Sequence, residues 1–140
     1  MKIYQQQIKL QRMPRGFHLI TREIEYALKE FAPIKMGICQ LFIQHTSASL
    51  TINENADPTV RKDFESHFNK LVPKNMPYYL HNDEGSDDKP AHIKAALLGT
   101  SLNIPISNGR LALGIWQGIY LCEHRNYAEG RNMMITVWGE

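Results

Sequence analysis

Along the 140-residue chain the apolar positions switch between two periods, 2 and about 3.6, and the switches mark the elements. Ile38 to Ile43 is rich in apolar and β-branched side chains and reads as a strand, with Cys39, Leu41, Ile43 and His45 on one face and Gln40, Phe42 and Gln44 on the other. Ser49 to Ile52 forms a second strand or continues the first past a bulge. Ile3, Ile8 and Leu10 alternate imperfectly over residues 2–10, which suits a strand near a sheet edge. From Ser101 onward the pattern is β: Leu102, Ile104 and Ile106 alternate, Asn108-Gly109 marks a tight hairpin, and Leu111, Leu113 and Ile115 continue beyond it. Ile119 and Leu121 follow a turn or bulge at Gln117-Gly118, and Met133, Ile135 and Val137 make a last strand after a loop at 124–130.

Three segments take the helical period. Ile20, Ile24, Ala27, Leu28 and Phe31 share one face behind a Thr21 N-cap, and Pro33 predicts an exit at Ala32. Asp57 caps a second helix with Pro58 at its first position and Val60, Phe64, Phe68 and Leu71 as its buried stripe. Asp88 caps a third, which runs to about Leu98 and stops at Gly99. Helices in the first 100 residues and strands at both ends predict an α+β fold with largely antiparallel, sandwich-like sheets and about three helices. With no linker or repeat, residues 1–140 read as a single domain, long enough to bury about two-thirds of its unfolded surface.

Composition narrows the function. Sixteen Lys and Arg against fourteen Asp and Glu give +2 with the signs interspersed, too weak a field for nucleic acid. The N-terminus has no long apolar core of a secretory signal and no stretch of about 18 apolar residues occurs, so a soluble, cytoplasmic protein is expected. Cys39 and Cys122 have no framework spacing and read as reduced structural thiols.

The chemistry concentrates in two polar segments, QHTSASLTINENADP at 44–58 and HNDEGSDDKPAH at 81–92, which are expected to meet near Glu123. His45, His92 and Glu123 supply the two imidazoles and one carboxylate that a divalent metal accepts while keeping a position for water or substrate; His81 and His124 are alternates. No compact metal signature occurs, and a lone histidine at a strand end is more often a hydrogen-bonded structural residue. Asp83, Glu84, Asp87 and Asp88 could hold a magnesium-diphosphate complex, or form a solvated loop whose last acid caps the third helix. Ser47, Ser49 and Thr51 alternate on one face, but no nucleophile elbow is present, which argues against acyl transfer. Asn53 and Glu54 precede a helix start, and Arg110, Arg125 and Arg131 are candidate phosphate partners. Trp116, Tyr120 and Tyr127 permit stacking on a ring or packing at an oligomer seam.

Read together, QHTSASLTINENADP at 44–58, HNDEGSDDKPAHIKAALLGTSLNIPI at 81–106 and GRLALGIWQGIYLCEHR at 109–125 closely resemble the YjbQ-like family, also described as secondary thiamine-phosphate synthase enzymes. The resemblance implies a compact sandwich-like homotrimer with sites near subunit boundaries. It carries His45, His92 and Glu123 as the site group, with His81, Asp83, Asn53 and Glu54 close by. It also implies a weak or accessory coupling of hydroxymethylpyrimidine diphosphate with thiazole phosphate, releasing diphosphate. Magnesium or zinc and cations such as Arg125 would then face the phosphates. The alternatives are a binding protein for a phosphorylated metabolite without efficient turnover, or a metal-dependent phosphate-ester hydrolase. The family commonly has a small residue or proline at the position of Ser86 and often methionine at that of Lys89; Lys89 here alters the local charge.

Overall fold

A computed structural model describes residues 1–81 and 84–140. Among these, eight strands and three helices follow in the order β1 (Lys2–Lys9), β2 (Gly16–Leu19), α1 (Thr21–Leu28), β3 (Gly37–Ile43), β4 (Ala48–Glu54), α2 (Pro58–Leu71), α3 (Asp88–Leu98), β5 (Ser101–Ser107), β6 (Arg110–Leu111), β7 (Gln117–Glu123) and β8 (Asn132–Gly139). Their pairings are antiparallel. They build a five-stranded sheet, β1-β8-β3-β5-β6, and a three-stranded sheet, β2-β7-β4. The expected α+β sandwich is therefore the observed fold.

Alternation explains the layering. Cys39, Leu41 and Ile43 of β3, Ile104 and Ile106 of β5 and Met133, Ile135 and Val137 of β8 are buried. They form one core with Leu50, Ile119 and Leu121 of the smaller sheet and Ile20, Ile24 and Ala27 around α1. The opposite face of the small sheet carries Phe17, Tyr120 and Cys122, against which Phe64 and Phe68 of α2 and Leu98 of α3 pack. The small sheet thus lies between the larger sheet and two helices, and β7 is buried from Gly118 to Glu123.

Several local expectations hold for the reasons given. Asp57 accepts from the Thr59 amide at 2.9 Å, with Pro58 opening α2. Asn108 and Gly109 take φ of 52° and 77°, the left-handed pair of a tight hairpin. Others change. Ile20, not Thr21, occupies the N-cap position of α1, because the Thr21 hydroxyl accepts from the Ile119 amide at 2.9 Å and ties the helix start to β7. That helix ends at Leu28, four residues short of Ala32. No residue of α2 is fully buried and Leu71 is 57% exposed, since the helix covers only the small Phe17 patch. Leu113 and Ile115 lie in the connection from β6 to β7, with Ile115 exposed. Among the described residues no helix is long and apolar enough to cross a membrane.

Candidate metal centre

The loop from β3 to β4, the start of α3 and the loop after β7 converge at one end of the sandwich. His92 Nδ1 lies 3.1 Å from the Thr46 carbonyl, Arg125 Nη1 donates to Asp88 Oδ1 at 2.8 Å, and Arg131 Nη2 donates to Ser47 Oγ at 3.0 Å. The two polar segments thus meet close to Glu123.

At that junction Asp88 is 1% exposed, and His81 Nε2 and His92 Nε2 each lie 3.0 Å from its Oδ2. One ligand atom from each of His81, Asp88 and His92 fits within 4.8 Å of the other two. Asp88 and His92 are one helical turn apart on α3, so the backbone presents them on the same face. The other carboxylate oxygen belongs to Arg125, which also donates through Nε to Asp87 at 2.9 Å and through Nη2 to the Glu84 carbonyl at 2.8 Å. Burial opposes ionisation of Asp87, yet the Asn126 amide and the Arg125 guanidinium hold it below the usual carboxylate range.

The hydrogen-bond inventory determines what His92 can do. A carbonyl only accepts, so Nδ1 facing Thr46 carries a hydrogen. Nε2 is then the nitrogen left to face Asp88, and it is the one that offers a lone pair to a metal ion when the ring is neutral. A ligating imidazole whose other nitrogen donates to a backbone carbonyl is the usual supporting arrangement of metal sites. The spacing also fits: donors around tetrahedral zinc stand about 3.3 Å apart, a few tenths of an ångström wider than the 3.0 Å seen here. Two imidazoles and a carboxylate suit zinc-class ions better than magnesium, which prefers oxygen ligands. His81 is about half exposed, so the cluster is closed by Asp88 on one side and open to solvent on the other.

His45 and Glu123 have hydrogen-bond partners of their own outside the cluster of His81, Asp88 and His92. His45 Nε2 accepts from the Asn132 amide at 2.8 Å; burial chiefly, and then Arg131, lower its pKa, opposed by Glu123. With His92 it lines a groove of about 460 Å³, together with Thr46, Ala95, Ala96 and Thr100. Glu123, 1% exposed, is closed around Arg131 by bonds of 2.7 and 2.5 Å and also accepts from the Arg125 amide at 3.1 Å. It therefore supports Arg125, while Asp88 supplies the carboxylate beside the histidines. From sequence Asp88 reads as a helix cap or a magnesium ligand; its four-residue spacing to His92 is the signal that points to the histidines instead.

Of the remaining expected ligands, Asn53 and Glu54 stand at the far end of β4, six extended residues or roughly 20 Å from Ala48. Asn53 Oδ1 accepts from the Glu54 amide, and the Glu54 carboxylate accepts from the Ala56 and Asp57 amides, so both shape the turn into α2. Asp83 lies outside the described residues.

His124 is buried with its Nε2 2.8 Å from Ser49 Oγ, and burial first, then Lys94, Arg131 and Arg15, press its pKa from 6.5 down to about 3. The unfolded chain therefore takes up this proton first: stability is complete above about pH 6.5 and falls as pH drops, by up to about 1.4 kcal/mol per pH unit. Urea unfolding at pH 5 should show a loss of about 2 kcal/mol relative to pH 7 that His124→Gln largely removes. An unchanged pH slope in the variant would remove His124 as its cause.

Comparison with known proteins places this geometry among uncharacterised relatives. Residues 6–140 match the family model described as UPF0047 protein YjbQ-like. The chain is 53% identical over 137 residues to UPF0047 protein YjbQ of Salmonella typhimurium, covering 98% of this chain and 99% of that one. It is 49% identical to UPF0047 protein YjbQ of Escherichia coli O157:H7 over the same shares. The crystal structure of a YbjQ-like protein of unknown function from Sulfolobus solfataricus superposes with a TM-score of 0.88 at 26% identity, covering 99% of each chain. A conserved hypothetical protein from Thermus thermophilus gives 0.80 at 34%, covering 92% of this chain and 96% of that one.

Proposed function

Given that the chain belongs to the YjbQ-like UPF0047 family, we propose that it binds a small phosphorylated metabolite with the help of a divalent metal held by His81, Asp88 and His92, as an accessory protein without efficient turnover. The observation that carries this reading is Asp88 buried between two imidazoles, one of which has its tautomer set by Thr46. When bound, the metal supplies positive charge for a phosphate oxygen. Arg125 holds Asp88 in place, and the groove beside His92 and His45 gives the organic part of the ligand a largely apolar wall. The cytoplasmic, homotrimeric assembly implied by the resemblance belongs to the same proposal; exposed Ile115 and Trp116 suit a subunit contact.

Binding is preferred to thiamine-phosphate synthesis because two of the three groups expected to form the site are engaged by other protein groups. His45 Nε2 is taken by Asn132 and Glu123 is locked to Arg131. Titration calorimetry with hydroxymethylpyrimidine diphosphate and with thiazole phosphate should give binding to zinc-loaded protein that disappears after chelation. Equal binding by chelated protein would reject the metal's part. Coupling at about 1 s⁻¹ or faster, lost in His92→Ala, would restore the transferase reading.

A further inference from the structure

The face of α3 roughly 160° around the helix from Asp88 and His92 carries Pro90 and Lys94, with the N-cap residue Asp87 beside it. It faces a recess of about 300 Å³ that Arg15, Asn69 and Lys74 help to line. Lys94 is 2% exposed, and its ammonium donates to Asn69 Oδ1 at 2.7 Å. An ammonium has three donors; among the described residues Lys94 has no carboxylate within 4.0 Å and no second hydrogen-bond partner. Leaving a buried charge so poorly paired is costly unless something else meets it.

Charge does not balance locally. The Glu65 carboxylate lies 2.9 Å from Arg15 Nε as an ion pair and accepts from Asn69 Nδ2 at 3.1 Å, so one acid serves Arg15 directly and Lys94 only through Asn69. The terminal nitrogens of Arg15 have no protein partner among the described residues. Lys74 adds a third, exposed cation. Asp87 also reaches the recess, but its charge is paired with Arg125, and its Oδ2 accepts from both Arg125 and the Asn126 amide.

From this arrangement we infer that the recess is a binding site for a phosphate group, contacted by Lys94 and Arg15 with Lys74 at the rim. A tetrahedral oxyanion presents several acceptors at once, which matches donors arriving from three directions, including the planar fork of an arginine. The site shares no residue with the histidine cluster, so it stands whether or not a metal binds there.

The test uses chelator-treated full-length protein titrated with inorganic phosphate at constant ionic strength and followed by calorimetry. Wild type should bind saturably. Lys94→Met should weaken binding about tenfold or more and Lys74→Gln several-fold. Glycerol phosphate run in parallel separates the sources: binding at least as tight as phosphate assigns the site to a metabolite's phosphoryl group, weaker binding to free phosphate. Undetectable binding by folded wild type at about 10 mM phosphate overturns the inference, as does wild-type affinity in both lysine variants. If Lys94→Met fails to fold, Lys74→Gln decides: unchanged affinity there overturns it.

Discussion

Replacing Arg131 by methionine should lower the unfolding free energy by about 3–5 kcal/mol, read from urea denaturation at neutral pH. Arg131 and Glu123 are both nearly sealed from water, and the guanidinium meets the carboxylate through two bonds while also holding the Ser47 carbonyl and hydroxyl. Methionine fills the space but leaves a buried carboxylate that, among the described residues, has only the Arg125 amide to meet it. Removing both charges, as Glu123→Gln with Arg131→Met, should recover part of the loss, because the stranded charge accounts for most of the cost. A loss under about 1 kcal/mol in the single variant would mean that Glu123 does not depend on Arg131 and is free for other chemistry.

His92→Ala should weaken zinc binding by at least about 100-fold in a competition titration with a chromogenic chelator, since it removes a ligand outright. Arg125→Met, which releases Asp88 without touching a ligand atom, should cost about 10-fold to 100-fold. His45→Ala should leave zinc affinity within about threefold, because the His45 nitrogen serves the Asn132 amide. An equal loss in His45→Ala and His92→Ala would restore the histidine pair expected from sequence.

The fold was largely legible because its strands announce themselves by local rules. The Asn108-Gly109 turn, the alternation of β3 and β8, and the Asp57-Pro58 start of α2 depend on neighbours in sequence. Where partners are remote the reading fails. The Thr21 hydroxyl serves Ile119, 98 residues away, so no local rule reveals that it does not cap its own helix. Two of the three convergent segments of the site, 44–58 and 81–92, were readable from their excess of polar groups beside apolar patterns, and the third entered only through Glu123. Which acid goes with which base was not. Glu123 and Arg131 meet across the loop joining two strands of different sheets, and that pairing leaves Asp88 as the carboxylate beside His81 and His92. Arg15 and Lys94 escaped for the same reason, linked only through Glu65 and Asn69 of an intervening helix.

The direct measurement is anomalous diffraction at the zinc edge from crystals of zinc-loaded protein. The geometry predicts one peak bound by Nε2 of His81, Nε2 of His92 and an oxygen of Asp88. A peak between His45 and Glu123 instead, or full zinc loading with none at Asp88, would contradict it.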